Sequence, residues 1–184
     1  MSSDAVRNGV DVTALNSARE GITESPESGI AEYGVNVEWN GGTSAQARAL
    51  PITLGGEKVD RDFSWKVDEP TQLLGKNSAP TPQEYLLSGV GACIMVGFAV
   101  GASAKGVKLD RLNVEIFGQL DLSGFLALND TSPVELAEVR YVIHVSGDAS
   151  EEEFRELEKK AVELSPNAMS IANKVRLSGD LTIS

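Results

Sequence analysis

The sequence predicts an α+β fold in which antiparallel strands pack around one long buried helix. Three observations lead there. Residues 85–104 carry no charge, and Tyr85, Leu86, Leu87, Val90, Cys93, Ile94, Val96, Phe98 and Val100 leave no wide polar face, so a helix there has to be buried. Period-two alternation, the mark of a half-buried strand, runs through Tyr33, Val35, Val37 and Trp39, and again through Leu112, Val114 and Ile116. The elements follow one another as strands, helix, strands, helix, strand, with no internal repeat or linker to divide them.

The central helix has a start signal with a mechanism. The Thr81 hydroxyl can cap an orphan N–H, the fixed φ of Pro82 suits the first helical position, and Glu84 stands where a capping box needs a carboxylate. Its twenty uncharged residues, Tyr85 to Ala104, reach the length of a membrane span. Against that, Ser88, Gly89, Gly91, Gly97, Gly101, Ala102 and Ser103 dilute the hydrophobicity, and no basic cluster or aromatic belt flanks the run. Small residues let backbones approach, so the expected neighbour is a sheet or a second copy of the helix, and no membrane is expected as partner.

Composition narrows the function classes. The chain has 184 residues, 41% hydrophobic and 23% charged, which suits one globular domain with a real core. Its 16 basic and 27 acidic residues give a net charge of −11, disfavouring nucleic acid and anionic membrane as partners. One cysteine excludes an intramolecular disulfide, and one Cys with one His cannot assemble a zinc site, so no metal and no cofactor are expected. The N-terminus, MSSDAVRNGVDV, lacks the basic-then-apolar pattern of a secretion signal, which makes the cytoplasm the expected compartment.

In chain order, residues 1–29 form a polar segment in which Val12, Leu15, Ala18 and Ile22, behind Asp11, predict a short surface helix closing before Pro26. Strands are predicted from Ile30 to Trp39, from Ala45 to Leu54 and from Asp62 to Val67, joined by glycine turns into a meander. After the central helix, strands are predicted over 112–122 and 139–146; the second places Tyr141, Ile143 and Val145 on one face and Val142 and His144 on the other. A lone His on such a strand is ordinarily a surface residue. Ser150 and Glu153 form a second capping box, and Phe154, Leu157, Ala161 and Leu164 predict an amphipathic helix that Pro166 interrupts. A short helix over 168–173 and a strand from Val175 to Ile183, with Gly179 as a bulge or turn, complete the reading.

Within this frame the run APTPQEYLLSGVGACIM, residues 79–95, resembles the first-cysteine motif of the OsmC/Ohr family, the osmotically inducible and organic hydroperoxide resistance proteins. In that motif a small residue and a proline precede a carboxylate, a leucine pair and a cysteine on one long helix. ELSPNAMSIAN resembles the family's second-cysteine region, and VDEP ahead of LLGKNSAPTP fits the approach to the motif. By element order the likeness spans residues 30–184, which makes 30–184 an OsmC-like domain. The resemblance implies an intertwined homodimer, with two buried central helices and active sites at the subunit interface. It also implies reduction of organic hydroperoxides or hydrogen peroxide by a reactive cysteine, a resolving cysteine, an arginine and a glutamate.

Carried over residue by residue, the reactive cysteine is Cys93. The resolving position, before the proline, is Ser165. The carboxylate position ten residues before the cysteine is Gln83, while Glu84 lies nine before it. The family arginine sits near a glycine-pair turn, yet Asn40-Gly41-Gly42-Thr43 contains none, which leaves Arg48 or Arg61 as candidates.

Each residue also has a plainer reading. A mid-helix cysteine among Ala92, Ile94 and Met95 is by default a small buried hydrophobe. Its activation would need a nearby cation, because the helix dipole fades within the first turn. Glu84 can be a cap rather than an acid, and Gln83 can donate a hydrogen bond but cannot transfer a proton as a carboxylic acid does. Two functions follow: a one-cysteine peroxidase restored by an external thiol reductant, or a non-catalytic homodimer that holds a small hydrophobic ligand beside Cys93.

Overall fold

The computed structural model describes residues 6–183. The chain forms two compact units, Met1–Leu86 and Leu87–Ser184, and the boundary falls inside the long helix rather than at a linker.

In the first unit, β1 (Val6–Arg7) and β2 (Val10–Asp11) make a small antiparallel hairpin that the alternation pattern is too short to announce. Helix α1 (Val12–Glu24) follows as predicted, its first turn capped by Asp11, which accepts from the Ala14 N–H at 2.9 Å. It ends before Pro26, and none of its residues is buried.

The predicted three-strand meander is two sheets. The first long strand breaks into β3 (Ala31–Glu32) and β4 (Val35–Trp39), and the second into β5 (Ala45–Ala49) and β6 (Ile52–Leu54). After β7 (Glu57–Val59) and β8 (Ser64–Val67), the orders are β3-β6-β7 and β4-β5-β8, antiparallel throughout. Pro51 explains the break in the second strand, since proline has no N–H to give the ladder. Register places Val35, Val37 and Trp39 on the face that Ala45, Ala47, Ala49, Trp65 and Val67 share; Ala47 is buried there, whereas the three β4 side chains are exposed.

Helix α2 (Pro82–Ala104) starts at the predicted proline. The capping box is present: Glu84 Oε2 accepts from the Thr81 N–H at 2.7 Å, and Thr81 Oγ1 accepts from the Glu84 N–H at 3.2 Å. At its C-terminal end, Gly106 at φ +77° lets the Gly106 and Val107 N–H groups turn back onto the carbonyls of Ser103 and Ala102. Burial corrects the expectation of a helix hidden all round. Val90, Gly91, Ile94, Phe98, Ala102 and Ser103 are buried, while Leu86, Met95 and Val96 are exposed. The helix is long and apolar enough to cross a membrane, yet its buried face is the centre of the protein's core.

That core belongs to the second unit. Strands β9 (Leu109–Gln119) and β10 (Glu138–Gly147) form a long antiparallel ribbon, joined by a loop carrying the one-turn helix α3 (Leu122–Phe125). One ribbon face turns Leu112, Ile116, Tyr141, Ile143 and Val145 onto Val90, Ile94, Phe98 and Ala102. Helix α4 (Glu151–Glu163), opened by the predicted Ser150–Glu153 box, closes the other side with Phe154, Leu157 and Ala161, and Phe154 stacks on Phe98 at 6.4 Å. Leu164, expected in that stripe, is exposed, because the helix ends at Glu163. Helix α5 (Pro166–Ala172) begins two residues before the predicted start, capped by Ser165. The predicted strand over 175–183 is absent: the segment pairs with no strand among the described residues, and Val175, Leu177, Leu181 and Ile183 are exposed.

Candidate functional site

Cys93 sits on α2 between exposed Ala92 and buried Ile94, half-buried, with a free thiol. The SPN segment reaches the same stretch of helix. Asn167, on the first turn of α5, donates from Nδ2 to the carbonyl of Gly89 at 2.8 Å, and Gly89 lies one helical turn before Cys93. Nothing but a carbonyl is needed on the α2 side of this bond, and a glycine there leaves room for the approach.

Ser165, the residue before Pro166, is 2% exposed. Its Oγ accepts from the Ala168 N–H at 3.2 Å and its own N–H bonds to the Val162 carbonyl at 3.1 Å, so it is the N-cap that turns α4 into α5. Gln83 is half-buried in the first turn of α2. Glu84 is exposed and committed to the capping box, which favours the cap over the acid. Arg48 lies exposed on β5, on the polar face with its cross-strand neighbours Asn36 and Ser64. Arg61 lays its guanidinium over the Phe63 ring, 4.6 Å from the centroid. His144 faces Glu115 at 3.2 Å on the outer face of the ribbon, a surface pair as the alternation suggested.

Two carboxylates that sequence reasoning passed over organise the approach to the helix. Asp68, 1% exposed, accepts from the Glu69, Lys76 and Ser78 N–H groups at 2.9, 3.1 and 3.0 Å and from the Ser78 and Thr43 hydroxyls at 2.7 and 3.3 Å. These donors, Ser78's hydroxyl foremost, hold its carboxyl well below the usual range. Gly75 is required in this loop, since a Cβ there would fall 1.8 Å from the Glu69 carbonyl oxygen. Glu69 has the opposite surroundings. Its Oε2 is sealed from solvent with no hydrogen-bond partner, and burial, then the charges of Asp68 and Glu84, push its carboxyl above the usual range. The signal available in sequence was the VDEP…NSAP spacing, an Asp followed by Ser and glycine-containing turn residues, which is too common to single out. Nearby, Tyr85 donates its hydroxyl to the Lys66 carbonyl at 2.6 Å with its ring 6.2 Å from Trp65, which fixes the first turn of α2 to β8.

The second unit also holds an apolar cavity of about 360 Å³, walled by Val90 and Ile94 of α2, Ile116 and Val139 of the ribbon, and Ala168 and Ile171 of α5. Tyr141 is its polar group, donating to Glu158 Oε1 at 3.2 Å; burial and the Glu158 charge hold the phenol above its usual range. Cys93 is not among the residues lining it. Among the described residues no cluster of His, Cys, Asp and Glu could hold a metal ion.

A family model described as OsmC-like protein matches residues 75–178. Among solved structures, an OsmC-like protein from Mycoplasma pneumoniae is similar at 19% identity and a TM-score of 0.61, over 78% of this chain and 89% of that one. An organic hydroperoxide resistance protein from Elizabethkingia anophelis, with crystallant-derived thiocyanate bound, follows at 17% and 0.57, over 78% and 89%. An OsmC-like protein of unknown function from Vibrio cholerae follows at 16% and 0.54, over 77% and 94%. No curated protein matches the chain. At these identities the structural likeness shows the fold: small antiparallel sheets with one long helix, as the sequence predicted.

Proposed function

The chain belongs to the OsmC-like family, whose model covers more than half of it, and from that premise we propose that it is a one-cysteine, thiol-dependent hydroperoxide reductase. The observation that carries the reading is the position of Cys93. The chain's single thiol stands half-exposed on the long family helix, one turn from where the Ser165-Pro166-Asn167 segment is tied on. In the proposed reaction the Cys93 thiolate attacks the terminal peroxide oxygen and the O–O bond breaks. The alkoxide leaves and takes a proton to become an alcohol, and the sulfur, oxidised by two electrons, becomes a sulfenic acid. One external thiol then condenses with the sulfenic acid, releasing water, and a second releases Cys93 as thiol together with the external disulfide. Ser165 supplies no resolving sulfur, so both reducing equivalents come from outside.

The supporting relatives are named for hydroperoxide resistance, and a family role in oxidative-stress defence fits this chemistry. Completion of the site by a second copy fits the apolar surface left open on α2 and β4, and we read the working form as a homodimer in the cytoplasm. The apolar cavity beside Val90 and Ile94 supports a second reading, a non-catalytic dimer that holds a small hydrophobic ligand.

Purified protein given cumene hydroperoxide and a dithiol separates the two. Peroxide consumption that disappears in Cys93→Ser supports the reductase, and Cys93 left unmodified after one equivalent of peroxide rejects it. With excess peroxide the wild-type sulfenic acid is expected to advance to sulfinic acid, since no second thiol protects it. Ser165→Cys is expected to divert it to an intramolecular disulfide, read by mass spectrometry, if the two Cα atoms lie within about 7 Å.

A further inference from the structure

Residues 175–183 read V-R-L-S-G-D-L-T-I, an unbroken alternation with Val175, Leu177, Leu181 and Ile183 on one side and Arg176, Ser178, Asp180 and Thr182 on the other. Such a segment is built for a sheet. Yet the four apolar side chains are 67%, 97%, 85% and 87% exposed, and the backbone pairs with nothing among the described residues. A strand without a ladder leaves its N–H and C=O groups to solvent and its apolar side in water.

The same unit has edges to offer. The β9–β10 ribbon contains only two strands, so the outer edge of each is open, and β9 is eleven residues long. The edges of the other two three-stranded sheets are five residues or fewer, and a nine-residue strand laid on them would leave about half its amides unpaired. Length therefore selects the ribbon. Charge selects the edge and the register. Laid antiparallel on β9 with Arg176 opposite Glu115, the segment sets Asp180 opposite Arg111 and Ser178 opposite Asn113, all on the outer face. The same register sets Val175 opposite Ile116 and Leu177 opposite Val114, extending the apolar face that covers α2. On β10, sliding the segment in either direction matches no more than one of its two charges to an opposite charge on the outer face, which carries Glu138, Arg140, Val142, His144 and Ser146.

We propose that residues 175–183 of one copy add as an antiparallel third strand to the open edge of β9 in a second copy, with the Arg176–Glu115 and Asp180–Arg111 pairs fixing the register. A second copy is the occupant because the segment leaves α5 without joining the ribbon of its own chain, although that ribbon lies in the same compact unit. The exchange is reciprocal, as a two-fold assembly requires, so each dimer contains two such additions. The inference rests on the homodimer read above and on none of the chemistry of Cys93.

The test is sedimentation equilibrium with amide hydrogen exchange. A chain ending at Asn173 is expected to dissociate at least about 100-fold more readily than the full chain, and Leu177→Asp about 10-fold more readily. Neither variant removes a contact inside the protomer, so circular dichroism should stay unchanged. Arg176→Glu should weaken the dimer several-fold, and adding Glu115→Arg to it should restore most of the loss. Amides of residues 175–183 should be protected at high protein concentration and lose that protection on dilution. Concentration-independent protection would mean pairing within one chain and overturn the exchange, and failure of the charge swap to restore affinity would overturn the register. A dimer of undiminished affinity without the segment would overturn the inference and leave the homodimer standing. A full chain that sediments as a monomer at every concentration would remove both.

Discussion

The two sides of α2 are chemically alike and structurally opposite. Val90, Ile94, Phe98 and Ala102 lie under the β9–β10 ribbon and α4, whereas Leu86, Met95 and Val96, no less apolar, face outward. Hydrophobicity by itself thus says that a surface has to be covered, not what covers it. The protomer supplies one cover and leaves the other side of the helix open.

The largest effect expected from breaking the contrast is on the covered side. Phe98 is fully buried and stacked on Phe154, so Phe98→Ala should cost about 3–5 kcal/mol of stability in urea unfolding, through lost transfer energy and an unfilled cavity. A smaller loss tests how closely the ribbon lies on the helix. A Cβ at Gly91 would stand 2.8 Å from Ile116 Cγ1, within the core, so Gly91→Ala should cost about 1 kcal/mol, overpacking outweighing the gain in helix propensity. On the open side, Met95→Gln with Val96→Thr should change protomer stability by no more than about 0.5 kcal/mol. If this side meets a second copy, the same pair of substitutions should instead raise the dimer dissociation constant. Unchanged association would sharpen the contrast, leaving the open side without a partner.

The smallest expected effect concerns two adjacent carboxylates that divide in the same manner, one fully bonded and one sealed without a partner. Asp68 is held below its usual range, so the stability it gives is present above the unfolded value of about 3.9 and is lost as pH falls through its folded value. Glu69 is raised, so its contribution is complete below the unfolded value of about 4.3 and is lost as pH rises through the folded one. Melting midpoints between pH 3 and 8 should therefore show Asp68→Asn destabilising at neutral pH and Glu69→Gln stabilising there. Equal midpoints for Glu69→Gln and wild type at pH 7 would mean that Oε2 finds water in solution.

Local chemistry was legible in the sequence wherever a segment satisfies itself. The Thr81–Glu84 and Ser150–Glu153 boxes, the start of α2 at Pro82 and the alternation of β9 and β10 all rest on neighbours a few residues apart, and each stands where the pattern put it. So did the family motif around Cys93, because a helix keeps its spacing. What depended on distant partners was not legible. The split of the meander at Tyr33-Gly34 and Leu50-Pro51 is decided by which sheet each half joins, and the Asp68 knot by donors as far away as Thr43, Lys76 and Ser78. The sequence by itself determined the elements, their order and the lone thiol on the central helix, since propensity, capping and periodicity act within a turn or a strand. Tertiary structure alone decided which side of that helix is core, which carboxylate is satisfied and which strand lacks a partner, because burial and hydrogen bonding between distant segments depend on how the chain closes on itself.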